Sequence, residues 1–446
     1  MRVGKIDAQY ISDDIRFNAG YFLNDDAVNS RIIERNHSKC QPLHELAEVW
    51  NPPIFKRQFC ANTERAVPYC QSSDVTNALE GSEVFINKAQ AKRVGVIVED
   101  KQILVTGFGT IGNTRLVNEL SNGLSYANNV CRIKVNEEFP YGFVYAFMTS
   151  KYGKSQLNKN ASGSVVRYIE APGIRRTLIP ILPEATQQKI HNLIVDAAAL
   201  RVEANKLLRE AVEVFDVFKE EYVSGGFVTK KISINKVSVK NLRFDANYNV
   251  VSSIVEDKLK DVKYFKISEL TDNIFMGPRS KRNYVANGVP FLSTSEMQKL
   301  NPTKTEKYIS EKNAGGFYVK KGWLLTTRSG TLGDTIFTFP VIDNYAVSED
   351  AIRIVIKDDS ALSNKYVFAF LKSNIGRNSL VSGSYGSVIL HLNEDYIGDI
   401  KVPVLQDKIE FVERNVSVYV NNMNEAIIKE NQAIDLIEKE IDQWQL

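Results

Sequence analysis

The chain is written twice. Lys56-Arg57-Gln58-Phe59-Cys60-Ala61-Asn62 reappears as Lys281-Arg282-Asn283-Tyr284-Val285-Ala286-Asn287. Ile103-Leu104-Val105-Thr106 and Gly109-Thr110-Ile111-Gly112-Asn113-Thr114 reappear as Leu324-Leu325-Thr326-Thr327 and Gly330-Thr331-Leu332-Gly333-Asp334-Thr335. Phe143-Val144-Tyr145-Ala146-Phe147 reappears as Tyr366-Val367-Phe368-Ala369-Phe370. All three blocks move along the chain by nearly the same step. A nearly constant shift over separated blocks implies two copies of a whole domain. Such a chain suits a function that needs two similar sites held at a fixed distance.

With 446 residues there is room for two or three cores. The net charge of +3 is small, so a nucleic-acid surface must be a local patch balanced by acidic faces. The opening MRVGKIDAQYISDD has no apolar stretch of signal-peptide length, and no segment approaches a membrane span. A cytoplasmic location follows as the expectation. All four cysteines, Cys40, Cys60, Cys70 and Cys131, lie in the first copy, and Cys60 and Cys70 align with Val285 and Leu292. They read as small core fillers, not as a disulfide framework or zinc site.

Each copy follows one grammar. It opens on Arg16-Phe17-Asn18-Ala19-Gly20-Tyr21 or Arg243-Phe244-Asp245-Ala246-Asn247-Tyr248. Residues 103–106, 130–135, 323–327 and 352–356 read as strands, and residues 141–153 and 364–375 as short helices. Each body closes on a strand containing proline, Pro180 or Pro403, which predicts a strand end or edge. Ser224-Gly225-Gly226-Phe227 marks the boundary between copies.

After each closing strand the texture changes. Positions 190, 194, 197, 201, 204, 208, 211, 215 and 218 are Ile, Ile, Ala, Arg, Ala, Leu, Ala, Phe and Phe. Alternating steps of four and three make a heptad seam with one polar member, Arg201. The C-terminal stretch repeats it with Ile409, Val412, Val416, Tyr419, Met423, Ala426, Ala433 and Ile437, interrupted by Glu430. Helices of about 38 residues would each span roughly 57 Å. A small body cannot cover a stripe that long, so the two helices are expected to pack on each other. The predicted organisation is α+β. One α/β domain covers residues 1–183 and a long helix 184–223. The second domain covers 224–405 and a second long helix 406–446.

Two motif lookalikes are set aside. Gly107-Phe108-Gly109-Thr110-Ile111-Gly112 spells GxGxxG, but its counterpart starts with Arg328-Ser329 and runs into Thr335-Ile336-Phe337, which reads as a strand. A tight strand-to-strand connection fits better than a dinucleotide site. Asn51-Pro52-Pro53-Ile54 resembles the Asn-Pro-Pro-aromatic motif of amino-methyltransferases, but its fourth residue is aliphatic and its counterpart lacks it. The histidines His37, His44, His191 and His391 form no ligand set; only His391 follows a repeated motif.

Three repeated polar features suit nucleic acid. The first is Lys56-Arg57 with its copy Lys281-Arg282, near Arg279. The Arg fork and the Lys point charge fit phosphate or guanine. The second is the turn carrying Thr110 and Thr331, with Arg115, Arg328 and Ser329 alongside. Its glycines let amides approach phosphate. The third is Ser162-Gly163-Ser164-Val165-Val166-Arg167, matched by Tyr385-Gly386-Ser387-Val388-Ile389-Leu390-His391. Between these the copies diverge. Residues 72–93 carry Asn87, Lys88, Gln90, Lys92 and Arg93; residues 294–312 carry Ser295, Gln298, Lys299, Asn301, Lys304 and Lys307. Two copies with a shared frame and different polar content suit two different DNA sequences.

The order of the parts resembles the specificity subunit of type I restriction-modification systems. The likeness rests on the duplicated Gly-Thr-x-Gly turns, the strands at Val67-Pro68-Tyr69 and Val289-Pro290-Phe291, the Pro180 and Pro403 strands, and the two long helices. It covers essentially all of the chain. The resemblance implies two target recognition domains, each reading half of a bipartite double-stranded DNA site. It also implies an antiparallel coiled coil acting as a ruler, and no catalytic site, cofactor or metal in this chain. Two adenine methyltransferase subunits, which carry S-adenosylmethionine, and then restriction translocases would be the partners. The expected DNA-contacting residues are Lys56, Arg57, Lys88, Lys92, Arg93, Thr110, Arg115, Ser164 and Arg167 in the first copy. In the second they are Arg279, Lys281, Arg282, Ser295, Lys304, Arg328, Ser329, Thr331, Ser387 and His391. The alternatives are a two-domain protein-interaction scaffold and the specificity subunit of another methylation-based phage-defence system. A catalytic methyltransferase or nuclease would need a cofactor or metal constellation that the sequence does not offer.

Overall fold

The structure, a computed structural model, describes residues 22–78, 81–162, 167–218, 243, 245–279, 282–329, 332–386 and 389–444. It divides into two compact units, Met1–Val202 with Ala426–Leu446, and Glu203–Glu425. The Arg16-to-Tyr21 opening and the Ser224–Phe227 boundary lie outside the described residues.

The two units repeat one topology. In the first, a four-stranded antiparallel sheet runs in the order Ala47–Trp50, Val130–Val135, Ile103–Thr106, Thr114–Leu116. A second sheet runs Phe59–Cys60, Phe85–Asn87, Ala66–Cys70, Ser125–Tyr126, its last pair parallel. The second unit holds Thr271–Met276, Ala351–Ile356, Leu324–Thr327, Thr335–Phe337 in one sheet. Its other sheet runs Tyr284–Val285, Tyr308–Ile309, Val289–Leu292, Ala346–Val347, again with the last pair parallel. The proline-closed strands Leu178–Pro180 and Lys401–Pro403 each end in a two-stranded ladder.

Strand Ile103–Thr106 is buried on both faces, which explains its unbroken apolar run. Side chains alternate across a strand. Ile103 and Val105 therefore join the core formed with Phe143, Phe147 and Ile190, while Leu104 joins Cys70, Val98 and Val117. Cys70 and Cys131 fill cores as expected, but Cys60 is exposed on an edge strand. None of the four is in a disulfide.

Each predicted short helix is two helices joined at a corner. Tyr141–Thr149 stops at Ser150 before Lys151–Lys159, and Asn364–Lys372 stops at Ser373 before Asn374–Ser382. Each serine hydroxyl donates to a carbonyl behind it, Phe147 or Phe370, at 2.6 Å. Each also accepts from the amide of the glycine ahead, Gly153 or Gly376, at 3.3 Å. A Cβ on either glycine would overlap those same carbonyl oxygens, so only glycine lets the chain turn this tightly.

A matched pair of buried arginines had no place in the sequence-based reading. Arg132 donates to the carbonyls of Val96, Tyr126, Ala127 and Val130. Arg353 donates to Phe317, Val347, Ser348 and Ala351, the same four positions one repeat further along the chain. Burial lowers the pKa of both guanidinium groups to about 10, still well above neutral pH. Each clasps the crossing of its two sheets, adding a second donor to Val96 O and Ala127 O, or to Phe317 O and Ser348 O, which also accept backbone amides.

The long helices are Glu184–Glu213, tightening into a 3-10 turn at Val214–Phe218, and Ile409–Asp442. All nine predicted seam residues from Ile190 to Phe218 are buried. So are Val412, Val416, Tyr419, Met423, Ala426, Glu430, Ala433 and Ile437, while Ile409, at the helix start, is half-buried. In the second unit partner numbers fall on one helix as they rise on the other, so the helices pair antiparallel there. In the first unit Asp196 meets Lys429 and Arg201 meets Glu430. In the second, Glu203 meets Asn422 and Glu210 meets Asn415. Packing on the bodies and on each other are not alternatives. Ile190 and Ile194 reach the first core, where Ile437 and Ile441 also sit, and Phe215 stacks edge-on to Tyr366 and Phe370 of the second.

The two polar interruptions of the seams are each other's partners. Arg201 reaches Glu430 at 2.5 Å, with side chains 6% and 2% exposed. Tyr145 donates to the other carboxylate oxygen at 2.6 Å. Burial, and Glu430 beside it, raise the Tyr145 pKa, which keeps its hydroxyl a donor.

Candidate nucleic-acid interface

Each unit presents two neighbourhoods where the predicted residues collect. The first surrounds the edge strand of the second sheet. In the first unit Asn87 donates its amide to the Gln58 carbonyl, which sets residues 58–60 beside helix Lys88–Val94. The buried Gln90 amide clips the same segment, donating to Lys56 O at 2.8 Å and accepting from Gln58 N at 3.0 Å. Lys56, Arg57, Lys88, Lys92 and Arg93 are thereby gathered, and all five are exposed. Asn87 and Gln90 are not base readers here: Asn87 caps the helix by accepting from Gln90 N.

Arg57 lies over the Tyr69 ring and donates to its hydroxyl at 2.7 Å. Phe59 meets the same ring edge-on and is 62% exposed. The second unit repeats the cluster. Arg282 lies over Phe291, and Tyr284, 51% exposed, meets Phe291 edge-on. The difference is electrostatic. Arg282 is paired with Glu349 at 2.7 Å, whereas the first copy has Asn128 at the equivalent position. Burial opposes the Glu349 charge, but the Arg282 bond outweighs it and holds the carboxyl below its usual range. Arg279 is exposed nearby in the chain, and Lys281 lies outside the described residues.

The divergent stretch of the second unit is built around Glu296, which accepts from Ser293 and Lys307. Burial works against this carboxylate, yet the Ser293 and Lys307 contacts keep its pKa low. Ser295 shares a hydroxyl contact with Ser293, and Lys304 is half-buried.

The second neighbourhood is the repeated turn. Ile103–Thr106 and Thr114–Leu116 form a hairpin, as do Leu324–Thr327 and Thr335–Phe337, so the GxGxxG lookalike is a strand connection. Gly112 and Gly333 adopt φ of +81° and +87°, the left-handed region that favours glycine. Thr110 is exposed at the tip, and Thr106 braces it from inside by donating to the Thr110 carbonyl at 2.6 Å. Phe108 and Tyr168 stack beside it at 5.4 Å, each 37% exposed. Arg167 is exposed and donates to the Asn158 carbonyl. In the second unit Ser329 bridges to His391, whose ring lies 5.9 Å from Tyr385. Ser164, Thr331 and Ser387 lie outside the described residues.

Two expected contact residues are internal. Arg115 is 1% exposed and donates to the carbonyls of Val75 and Asn77, so it supports the loop beneath it and cannot reach a duplex. Arg328 has an 11% exposed side chain, paired with Asp350, which Ser329 also contacts. Charge in the sequence did not distinguish these from the exposed cations.

Asn51 uses both ends of its amide within the unit, accepting from Ala171 N and donating to Asn128 O, so it is a brace. His191 accepts from the Gly142 amide; burial, with Lys101 nearby, lowers its pKa. Among the described residues no group of three or more His, Cys, Asp or Glu is arranged to hold a metal. No helix among them is long and apolar enough to cross a membrane.

No protein-family profile matches the sequence, and no curated protein matches it. Solved structures similar to the fold include the S subunit of a type I restriction-modification system from M. genitalium. It is 14% identical, with a TM-score of 0.33 over 91% of this chain and 94% of that one. The HsdS subunit from Thermoanaerobacter tengcongensis is 14% identical, with a TM-score of 0.28 over 91% and 95%.

Proposed function

We propose that this chain is a DNA-recognition subunit that reads a bipartite target and recruits adenine methyltransferase subunits. One observation carries the reading: two units repeat one sheet topology, and each of the two long helices has residues in both. A duplicated reader with a stiff spacer suits a split site, because each unit reads one half and the helices set the gap. Exposed cations position the duplex through phosphate, and the divergent loops read base edges. Flipping of the target adenines belongs to the methyltransferases.

Base-resolved methylation mapping tests this. DNA from cells carrying the chain and its neighbouring methyltransferase gene is compared with DNA from cells lacking only this chain. The expected result is a split N6-methyladenine motif that vanishes with the chain. Unchanged methylation, with the methyltransferase expressed, would reject the proposal in favour of an interaction scaffold. Shortening both helices by one heptad should move the half-sites closer by about 10 Å, or roughly three base-pair steps at 3.4 Å each. An unaltered gap in the shortened variant would reject the ruler.

A further inference from the structure

We propose that Phe59 and Tyr284 are the base-stacking residues of the two units, one aromatic for each half of the DNA target. This rests on the DNA-reading function proposed above. Large aromatic rings normally bury most of their area. These two are more than half exposed, at 62% and 51%, at equivalent positions on the edge strands of equivalent sheets. Neither is free to collapse. Each is held edge-on by a ring behind it, Tyr69 at 6.3 Å or Phe291 at 6.0 Å. Each backing ring is in turn covered by an arginine, Arg57 or Arg282. The result is a rigid, solvent-facing aromatic with a cation anchored beside it. A kinked duplex takes that combination, a base step partly unstacking over the inserted ring while the cation meets the backbone. Around Phe59 the surface is basic, with Lys56, Arg57, Lys88, Lys92 and Arg93 exposed, which favours a polyanion.

The two sites differ in charge. Arg57 is anchored by the neutral Tyr69 hydroxyl, whereas Arg282 is paired with the Glu349 carboxylate. The first unit should therefore contribute more of the salt dependence of binding, and Glu349→Gln should steepen that of the second.

Photo-crosslinking tests the assignment. The full chain, purified with whatever accompanies it, is bound to a random-sequence duplex pool carrying iodouracil, selected for retention and irradiated. Adducts are expected on the peptides containing Phe59 and Tyr284. Phe59→Leu and Tyr284→Leu should each lose their adduct and weaken DNA retention roughly tenfold, while Phe59→Tyr keeps both. The exposed positions make these changes tolerable to the fold, and an unchanged circular dichroism spectrum checks that. DNA retained with adducts confined to other aromatics, such as Phe108 or Tyr385, would overturn the assignment and leave DNA reading standing. Leucine variants that bind and crosslink like the parent would do the same. No retention of any duplex by the parent chain would overturn both readings.

Discussion

Truncating Arg353 to alanine should unfold the second unit, and Arg132→Ala the first, each at a cost of at least about 4 kcal/mol. Each guanidinium satisfies four carbonyls drawn from separate stretches of its unit. A buried acceptor left unmade costs about 1–3 kcal/mol; Val96 O and Ala127 O, like Phe317 O and Ser348 O, keep a backbone donor, so the cost falls on the other two carbonyls of each unit and on the cavity left behind. Part of this is offset, because burying the cation is itself unfavourable, as its lowered pKa records. Lysine cannot substitute, since it lacks the planar fork that addresses several oxygens at once. Hydrogen exchange read by peptide would check the outcome. Protection should vanish in the strands of the altered unit and persist in the other. Protection retained in both would mean that the carbonyls find other donors and the clasp is dispensable.

Arg201→Ala should destabilise the first unit by about 3–5 kcal/mol, because Glu430 would keep a buried charge without the Arg201 guanidinium. Glu430→Ala should cost a similar amount and also strand the Tyr145 hydroxyl. The double variant is the discriminating case. The repeat carries Arg201 to Met423 and Glu430 to Leu208, both buried. The second unit thus places apolar residues where the first places an ion pair. Arg201→Met with Glu430→Leu should recover most of either single loss, since well-packed apolar replacements avoid the desolvation penalty, short of the cost of the stranded Tyr145 hydroxyl. Denaturant midpoints of the three variants test this. A double variant as unstable as either single one would show that the ion pair contributes net stability.

Much of this architecture was legible in the residues. The repeat announced two units of one topology, because homologous spacing preserves strand order. The seams announced the long helices, since burial of a stripe every 3.5 residues leaves a period that composition alone cannot mimic. The turn motif was rightly read as a hairpin once its two copies were compared. Arg132 and Arg353 were also detectable, as an arginine inside a β-branched strand recurring at the repeat shift. No local rule flagged them, because their partners lie on other segments.

The residues that failed did so for one physical reason. Arg115, Arg328, Arg57 and Lys56 carry the same charge in the sequence, but only the last two are exposed. Gln90 reads as a polar contact in the sequence, but its amide is bonded within the unit. Whether a cation faces solvent or a carbonyl depends on what the rest of the chain brings to it. The corner serines show the same limit: Ser150 and Ser373 are ordinary helix residues by propensity, and only the packed carbonyls around Gly153 and Gly376 make them corners. Period, repeat and element type were determined by the sequence, because they arise from local geometry repeated along the chain. The partner of each polar group, and with it the division between exposed contact and internal brace, was decided by tertiary structure, because desolvation acts on neighbours far apart in the chain.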